Sequence, residues 1–496
     1  MHEHAYIIHV LINMQANKYF QVKELVSSKI YNQYGDDAIK FLDPKALEAL
    51  ENVREILNAP LICNNWAAGG SRNYSGYREP GCGVGVKNSY HCIDINTEIL
   101  TNHGWKTYNT IDIQNDKVYS YNIDKNGIEI VPIQQYFFQK YDGEIIQIQN
   151  KLIDIFVTDQ HRLLTKAKNN YKDREFYRFE LAKDSFGKRR EIMNAANNLS
   201  VSEDFDLNIW RLAMAVIADG SISKKNIRKY NNFVFKLVKE RDINELENIL
   251  YNLNLSYSKT KVISYYLSNG DPYYCWQYIL PVTKVTKSVL DIIGKNKKIP
   301  NTVLELPSYI LKELLITYAK FDGTIDKRTN CNCMTIYSTD EHNIDMLQKM
   351  SILAGMRCIK RSFTNQKVIC NNIETTIREI HHLYIHLNRS ETRINEKDWS
   401  KKQFSGYVWC VSNRNETIIT RRNGKIAIIG NCKGQAFDLI STKLTAKEMR
   451  EILENNQDKL RYPIRVEKWD NKGEISWLHI DISPNTHGKK LYFFKA

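Results

Sequence analysis

No stretch of this sequence reads as a membrane span. The apolar run Tyr6-Ile7-Ile8-His9-Val10-Leu11-Ile12 falls far short of the roughly 20 residues that cross a bilayer, so a strand or helix face is expected there. The N-terminus lacks the cationic, apolar and small-residue succession of a secretory signal. The ten cysteines form no even, short-spaced framework, which argues against a disulfide-stapled secreted scaffold and for a reducing compartment. Cys331-Asn332-Cys333 has no second Cys/His pair to complete a metal site. Acidic residues are outnumbered, 56 Asp and Glu against 70 Lys and Arg, for a net charge of +14. That excess suits a polyanionic partner such as nucleic acid.

A chain of 496 residues with 43% apolar content is long for one compact domain, and two to four units are expected. Residues 19 to 91 look globular. Asp43-Pro44 opens a helix with Leu47, Leu50, Val53 and Ile56 along one face, and Pro60 closes it. From Cys92 the texture becomes short β-branched runs between turns, continuing through Glu144–Ile148 and Ile153–Thr158. Around residue 205 it turns helical and basic, and stays mixed to about residue 395. The β texture returns at Tyr407–Val411 and at Thr417–Ile429 around the turn Arg422-Asn423-Gly424. After Cys432 come a capping box, Thr445 with Glu448, and a helix facing a core through Met449, Ile452 and Leu453. Two strands, Ile464–Trp469 and Glu474–Ser483, follow.

The junctions carry the chemistry of peptide-bond rearrangement. Cys92 can attack the carbonyl before it to form a thioester, Cys432 can take over that acyl group, and Asn431 can cyclise onto its own carbonyl. Thr158-Asp159-Gln160-His161 follows a strand, so Thr158 and His161 are placed to polarise and protonate the His91–Cys92 amide. On these residues, with Thr97-Glu98-Ile99 and Val408-Trp409-Cys410-Val411, the segments 92–200 and 396–431 resemble the inteins. That implies an all-β horseshoe fold shared with hedgehog autoprocessing domains. There are two departures. Gly430 stands where most inteins have histidine, and Cys410 where an aspartate is common. Asparagine cyclisation is then expected to be slower or differently assisted, with Cys410 joining the chemistry.

Within the insert, Leu212-Ala213-Met214-Ala215-Val216-Ile217-Ala218-Asp219-Gly220 is echoed by Leu314-Leu315-Ile316-Thr317-Tyr318-Ala319-Lys320-Phe321-Asp322-Gly323. Small residues such as Ala213, Ala215, Ala218 and Ala319 let two such helices approach and bring Asp219 and Asp322 together. Paired carboxylates there can hold Mg²⁺ against a phosphodiester. Residues 201–395 resemble the LAGLIDADG homing endonucleases, an α+β fold that reads double-stranded DNA. Lys224, Lys225, Arg228 and Lys229 suit phosphate contacts. The resemblance also implies a water-activating lysine, Lys236 or Lys239.

Removing residues 92–431 joins Ser89-Tyr90-His91 to Cys432-Lys433-Gly434-Gln435-Ala436-Phe437-Asp438. The rejoined string, with Trp477-Leu478-His479 and Ser75-Gly76-Tyr77-Arg78, resembles the D-alanyl-D-alanine carboxypeptidase and phage endolysin family. The implied host, residues 1–91 and 432–496, is an α+β zinc peptidase acting on the peptidoglycan stem peptide. His91, Asp438 and His479 are the implied Zn²⁺ ligands, and Arg78 the substrate contact.

Glu467 and Glu474 compete as general base. Glu474 lies an odd number of residues from His479 and should point away. A three-residue loop Asn471-Lys472-Gly473 would pair Asp470 with Glu474 and set Glu467 opposite Trp477, on the face of His479. Glu467 is therefore the expected base. Because the insert parts His91 from Asp438, the unspliced metal site is expected to be disrupted. The expected setting is the cytoplasm of a phage-infected bacterium, with the spliced product acting on the cell wall. The alternative is a non-catalytic zinc-binding host with a degenerate endonuclease.

Overall fold

A computed structural model describes residues 18–76, 92–167, 176–202, 204–224, 231–267, 269–326, 332–370, 373–431, 436–470, 473–482 and 489–495. The apolar run 6–12 lies outside them.

Two segments far apart in the chain share one sheet. Leu61–Ile62 pairs with Ala436–Ser441, setting Leu61 opposite Ser441. The order continues through Gly473–Asp481 and Ile464–Asp470 to Leu491–Lys495, which joins in parallel. Strand side chains alternate faces. Phe437, Leu439, Leu478, Ile480 and Val466 enter a core that draws its buried residues from 20–63 and 437–491 alone. The helix Pro44–Leu57 covers that core with Leu50 and Val53, and Ala446–Asn455 covers it with Met449 and Leu453. Asp43 caps the first helix by accepting from the Lys45 N–H at 2.9 Å, and left-handed Asn58 ends it. Thr445 and Glu448 form the second helix's capping box. The two flanks thus share one sheet and one core across the intervening residues.

A closed barrel of Ile93–Asp94, Trp399–Ser412, Gln135–Gln149 and Asp154–Thr158 follows. Its core takes residues from both ends of the insert, Ile93, Val157 and Leu163 with Val408, Trp409 and Ile429. Thr417–Arg422 and Lys425–Gly430 form a hairpin whose two-residue turn, Asn423 and Gly424, has positive φ at both positions (50° and 73°). A Cβ on Gly424 would lie 2.1 Å from the Lys360 carbonyl oxygen, so no side chain fits. Two single helical turns, Ala182–Ser185 and Glu396–Asp398, punctuate the β segments.

The middle of the chain is built twice. A helix (Leu207–Ala218, then Ser308–Asp322) leads into strands ordered 221–224, 231–237, 272–280, 258–266 in one sheet, and 323–325, 333–338, 373–386, 357–370 in the other. Both read first, second, fourth, third. The first sheet stands alone, whereas the second continues into the barrel-side strands through Ile359 opposite Lys425. One core spans both helices and also takes in Leu100, Tyr121, Ile128 and Ile428, so packing is continuous across residues 200 and 396. Among the described residues no helix is long and apolar enough to cross a membrane.

Candidate functional sites

Cys92 extends the register of Ile93, which pairs with Trp409 on one side and Val157 on the other. One position further, Cys92 lies between Cys410 and Thr158. The Cys92 N–H donates to Thr158 Oγ1 at 3.1 Å, and the Thr158 N–H returns to the Cys92 carbonyl at 3.0 Å. Gln139 Nε2 stands 3.9 Å from the Cys92 sulfur. His161 is fully buried, and its N–H donates to the Thr158 carbonyl at 3.0 Å.

Asn431, also fully buried, is held three ways. Its N–H donates to the Glu416 carbonyl at 3.0 Å, and its Nδ2 donates to the Asn413 carbonyl at 3.5 Å. Its own carbonyl accepts from Arg162 Nη2 at 3.0 Å and Nε at 3.3 Å. The five residues Thr158 to Arg162 therefore grip the amide of Cys92 and the carbonyl of Asn431 at once. Arg162 escaped the sequence reading; its one signal is a cation opening the apolar strand Arg162–Ala167. His91 and Cys432 lie outside the described residues.

The Leu207–Ala218 and Ser308–Asp322 helices end in Asp219 and Asp322. Burial first, then Asp242 for Asp219 and Asp219 for Asp322, pushes each carboxyl up to about 6. Lys239 and Lys297 pull both back down. A Cβ on Gly220 would sit 2.7 Å from the Val216 backbone, and one on Gly323 would sit 2.6 Å from the Thr335 carbonyl oxygen, so each Asp is followed by the residue that fits. Asp219 raises the pKa of Asp322, and Asp242 that of Asp219, so negative charge is crowded where the two helices end; a divalent cation would relieve it, and these residues fit Mg²⁺.

Of the two lysines expected here, both exposed, Lys239 acts on the pair and Lys236, on Asn231–Leu237, is not among the groups that shift it. Lys297 was missed. It donates to the Gly220 carbonyl at 2.6 Å, and burial lowers its pKa. On the strands Ser258–Tyr266 and Pro272–Leu280, Lys259 lies over Trp276 (4.7 Å) and Lys261 over Tyr274 (4.8 Å). Such a cationic, aromatic face suits a nucleic acid. Lys225, Arg228, Lys229 and the side chain of Lys224 lie outside the described residues.

In the sheet shared by the two flanks Asp438 pairs with His479, and His479 pairs with Glu467. Directly opposed residues share a face, so the three stand in a row away from the core. His479 Nδ1 is 2.6 Å from Asp438 Oδ1, and its Nε2 is 3.6 Å from Asp481. Burial lowers the His479 pKa, but its bonds to Asp438 and Asp481 win and hold it at about 10. Glu474 turns to the helix side, bonding Arg450 at 2.9 Å.

The expected hairpin register is corrected. Asp470 faces Gly473 and Trp469 faces Glu474, leaving two residues between the paired ends. An irregularity between Glu467 and Trp469 then shifts the pairing, so Glu467 meets His479 rather than Trp477. Asp438, His479 and Glu467 stand together in the full 496-residue chain. The Asp438 N–H also donates to the Ser75 carbonyl at 2.7 Å, drawing the N-terminal flank to the site. His91 and Arg78 lie outside the described residues. Among the described residues no group of three or more His, Cys, Asp or Glu is placed to hold a metal. Asp438 and His479 thus stand as two adjacent side-chain donors, without a third among the described residues.

No family model matches the chain. It is similar to the beta subunit of ribonucleoside-diphosphate reductase from Aquifex aeolicus (strain VF5), 24% identical over 424 residues, covering 78% of this chain and 56% of that protein. It is also similar to the C-terminal section of the DNA-directed RNA polymerase beta subunit from Stigeoclonium helveticum, 22% identical over 421 residues, covering 72% and 38%. The chain thus spans about half or less of the curated relatives it matches. Similar solved structures include the AceL NrdHF class 3 split intein, in a glutathione-linked, splice-inactive variant. It is 8% identical with a TM-score of 0.23, covering 69% of this chain and 99% of that one. Another is the homing endonuclease I-WcaI bound to its DNA recognition sequence, 15% identical with a TM-score of 0.25, covering 39% and 76%.

Proposed function

We propose that the chain is a self-splicing precursor, residues 92–431 being an intein that excises itself and joins residues 1–91 to 432–496. One observation carries this reading: Thr158–Arg162 holds the amide nitrogen of Cys92 and the carbonyl of Asn431, the two backbone groups that excision must break. Cys92 attacks the His91 carbonyl, with Thr158 polarising the amide and His161 protonating its nitrogen. Cys432 accepts the acyl group and Asn431 cyclises. The names of the two curated relatives describe unrelated proteins, a pattern expected when the shared segment is an insert in different hosts. In the test, a small thiol added to the purified Asn431→Ala chain, which cannot complete excision, releases residues 1–91. Cys92→Ala abolishes that release, and equal release from both chains would refute the thioester.

The repeated unit is a site-specific endonuclease for double-stranded DNA. Asp219 and Asp322 would hold Mg²⁺, which supplies charge neutralisation at the scissile phosphate. Lys239 and Lys297 flank it. The spliced host is a zinc peptidase of the D-alanyl-D-alanine carboxypeptidase and endolysin kind acting on peptidoglycan stem peptides. His91, Asp438 and His479 would be the ligands, and zinc would polarise the scissile carbonyl. Glu467 takes the proton from the attacking water, and Arg78 binds the peptide. Splicing in the cytoplasm of a phage-infected bacterium, without a membrane partner, completes the reading.

Glu467 shares a row with His479, whereas Glu474 is bound to Arg450 on the other face. Glu467→Gln in the spliced protein is therefore expected to lower zinc-dependent muropeptide cleavage about 10²–10⁴-fold, and Glu474→Gln to change it little. Full activity of Glu467→Gln removes the base assignment. Zinc retention without cleavage by the unsubstituted protein would favour the non-catalytic host.

A further inference from the structure

Asn431 must turn its side-chain nitrogen onto its own carbonyl carbon, and Gly430 itself brings no side chain to help. A Cβ at position 430 would meet the Arg162 carbonyl oxygen at 2.6 Å and the Arg162 Cβ at 2.8 Å. Any larger residue there, histidine included, would collide with the Arg162 backbone.

We infer that Arg162 is a catalytic residue of asparagine cyclisation: its guanidinium forms the oxyanion hole for the Asn431 carbonyl. This rests on the splicing reading above. Nη2 and Nε lie 3.0 and 3.3 Å from the Asn431 carbonyl oxygen, and Nη2 is 3.4 Å from Oδ1 of the same residue. The side chain is nearly fully buried, so its charge acts through little water. Glu416 fixes it by accepting from Nη1 at 2.7 Å, while the Glu416 carbonyl takes the Asn431 N–H. Phe179 backs the guanidinium plane at 4.6 Å. The Asn413 carbonyl accepts from Asn431 Nδ2 and orients the attacking nitrogen.

In the step, the bond from Nδ2 to the Asn431 carbonyl carbon forms and the bond from that carbon to the Cys432 nitrogen breaks. One proton leaves Nδ2 and one joins the departing amine. The insert ends in a succinimide and Cys432 gains a free amino group. Negative charge on the carbonyl oxygen during the step falls where two guanidinium N–H groups already point.

The test separates the two ends. Cys92→Ala precursor reports cleavage after Asn431, and Asn431→Ala precursor reports thiol-induced cleavage before Cys92. Each is combined with Arg162→Met and Arg162→Lys. Arg162→Met is expected to slow cleavage after Asn431 by about 10²–10³-fold, the usual cost of an oxyanion donor, and to slow the thiol reaction far less. Arg162→Lys, which keeps the charge but loses the fork, should recover part of the rate. Gly430→Ala should also slow cleavage after Asn431 by displacing Arg162. Unchanged cleavage after Asn431 in Arg162→Met overturns the assignment, and so does equal loss at both ends, which marks Arg162 as structural only. No cleavage at either end with Arg162 present would sink the splicing reading itself.

Discussion

Asp219→Asn is expected to abolish Mg²⁺-dependent DNA cleavage and, in the same protein, to raise thermal stability. The two effects share one cause. Each aspartate is pushed from 3.8 to about 6, by burial first and then by a neighbouring carboxylate. A carboxyl whose folded pKa lies above its unfolded value favours the fold fully below about 4, and that contribution is lost as pH rises through about 6. At pH 7.5 both groups are ionised at a cost, and asparagine removes one of them. A shift of this size corresponds to about 1–3 kcal/mol, given that the pair is coupled and partly exposed. Without metal, the unsubstituted chain should lose stability between about pH 4 and 6. Asp219→Asn should flatten that slope, and Mg²⁺ should restore stability to the unsubstituted chain alone. Calorimetry across that range, with and without Mg²⁺, checks it. Retained cleavage, or a lower melting temperature in Asp219→Asn at pH 7.5, contradicts the paired-carboxylate site.

His161→Gln is expected to slow thiol-induced cleavage before Cys92 by about 10²–10⁴-fold, the range for loss of a positioned proton donor. Glutamine nearly fills the buried space but does not deliver a proton near neutral pH. The His161 backbone is fixed by its N–H to the Thr158 carbonyl (3.0 Å) and by the Ala182 N–H to its own carbonyl (2.8 Å). The turn should therefore survive, and Arg162 with it. Cleavage after Asn431, read in the Cys92→Ala precursor, reports whether the fold is intact. A thiol reaction at the unsubstituted rate would remove His161 from the proton transfer.

The proposed junction residues are singled out in the sequence by residue type: a thiol, an amide side chain, and Thr158 with His161 after a strand. The duplication was legible because each helix ends in Asp-Gly, and the glycines are where a Cβ does not fit. Arg162 and Lys297 were not, since each acts on a group far along the chain, the Asn431 carbonyl or the Asp219–Asp322 pair, and only the closed fold brings them there. Glu467 was placed on the right face by the wrong route. Its register depends on an irregularity between Glu467 and Trp469 that periodicity does not reveal, and each one-residue slip exchanges the faces of a strand. The domain lines drawn at 200 and 396 follow a change of texture, whereas side chains from both sides share one core.

Intact mass of the freshly expressed chain tests self-splicing most directly. Two products are expected, residues 1–91 joined to 432–496 and the released segment 92–431, with the Cys92→Ala chain staying whole at its N-terminal junction. A single 496-residue species, the same in both chains, would contradict it.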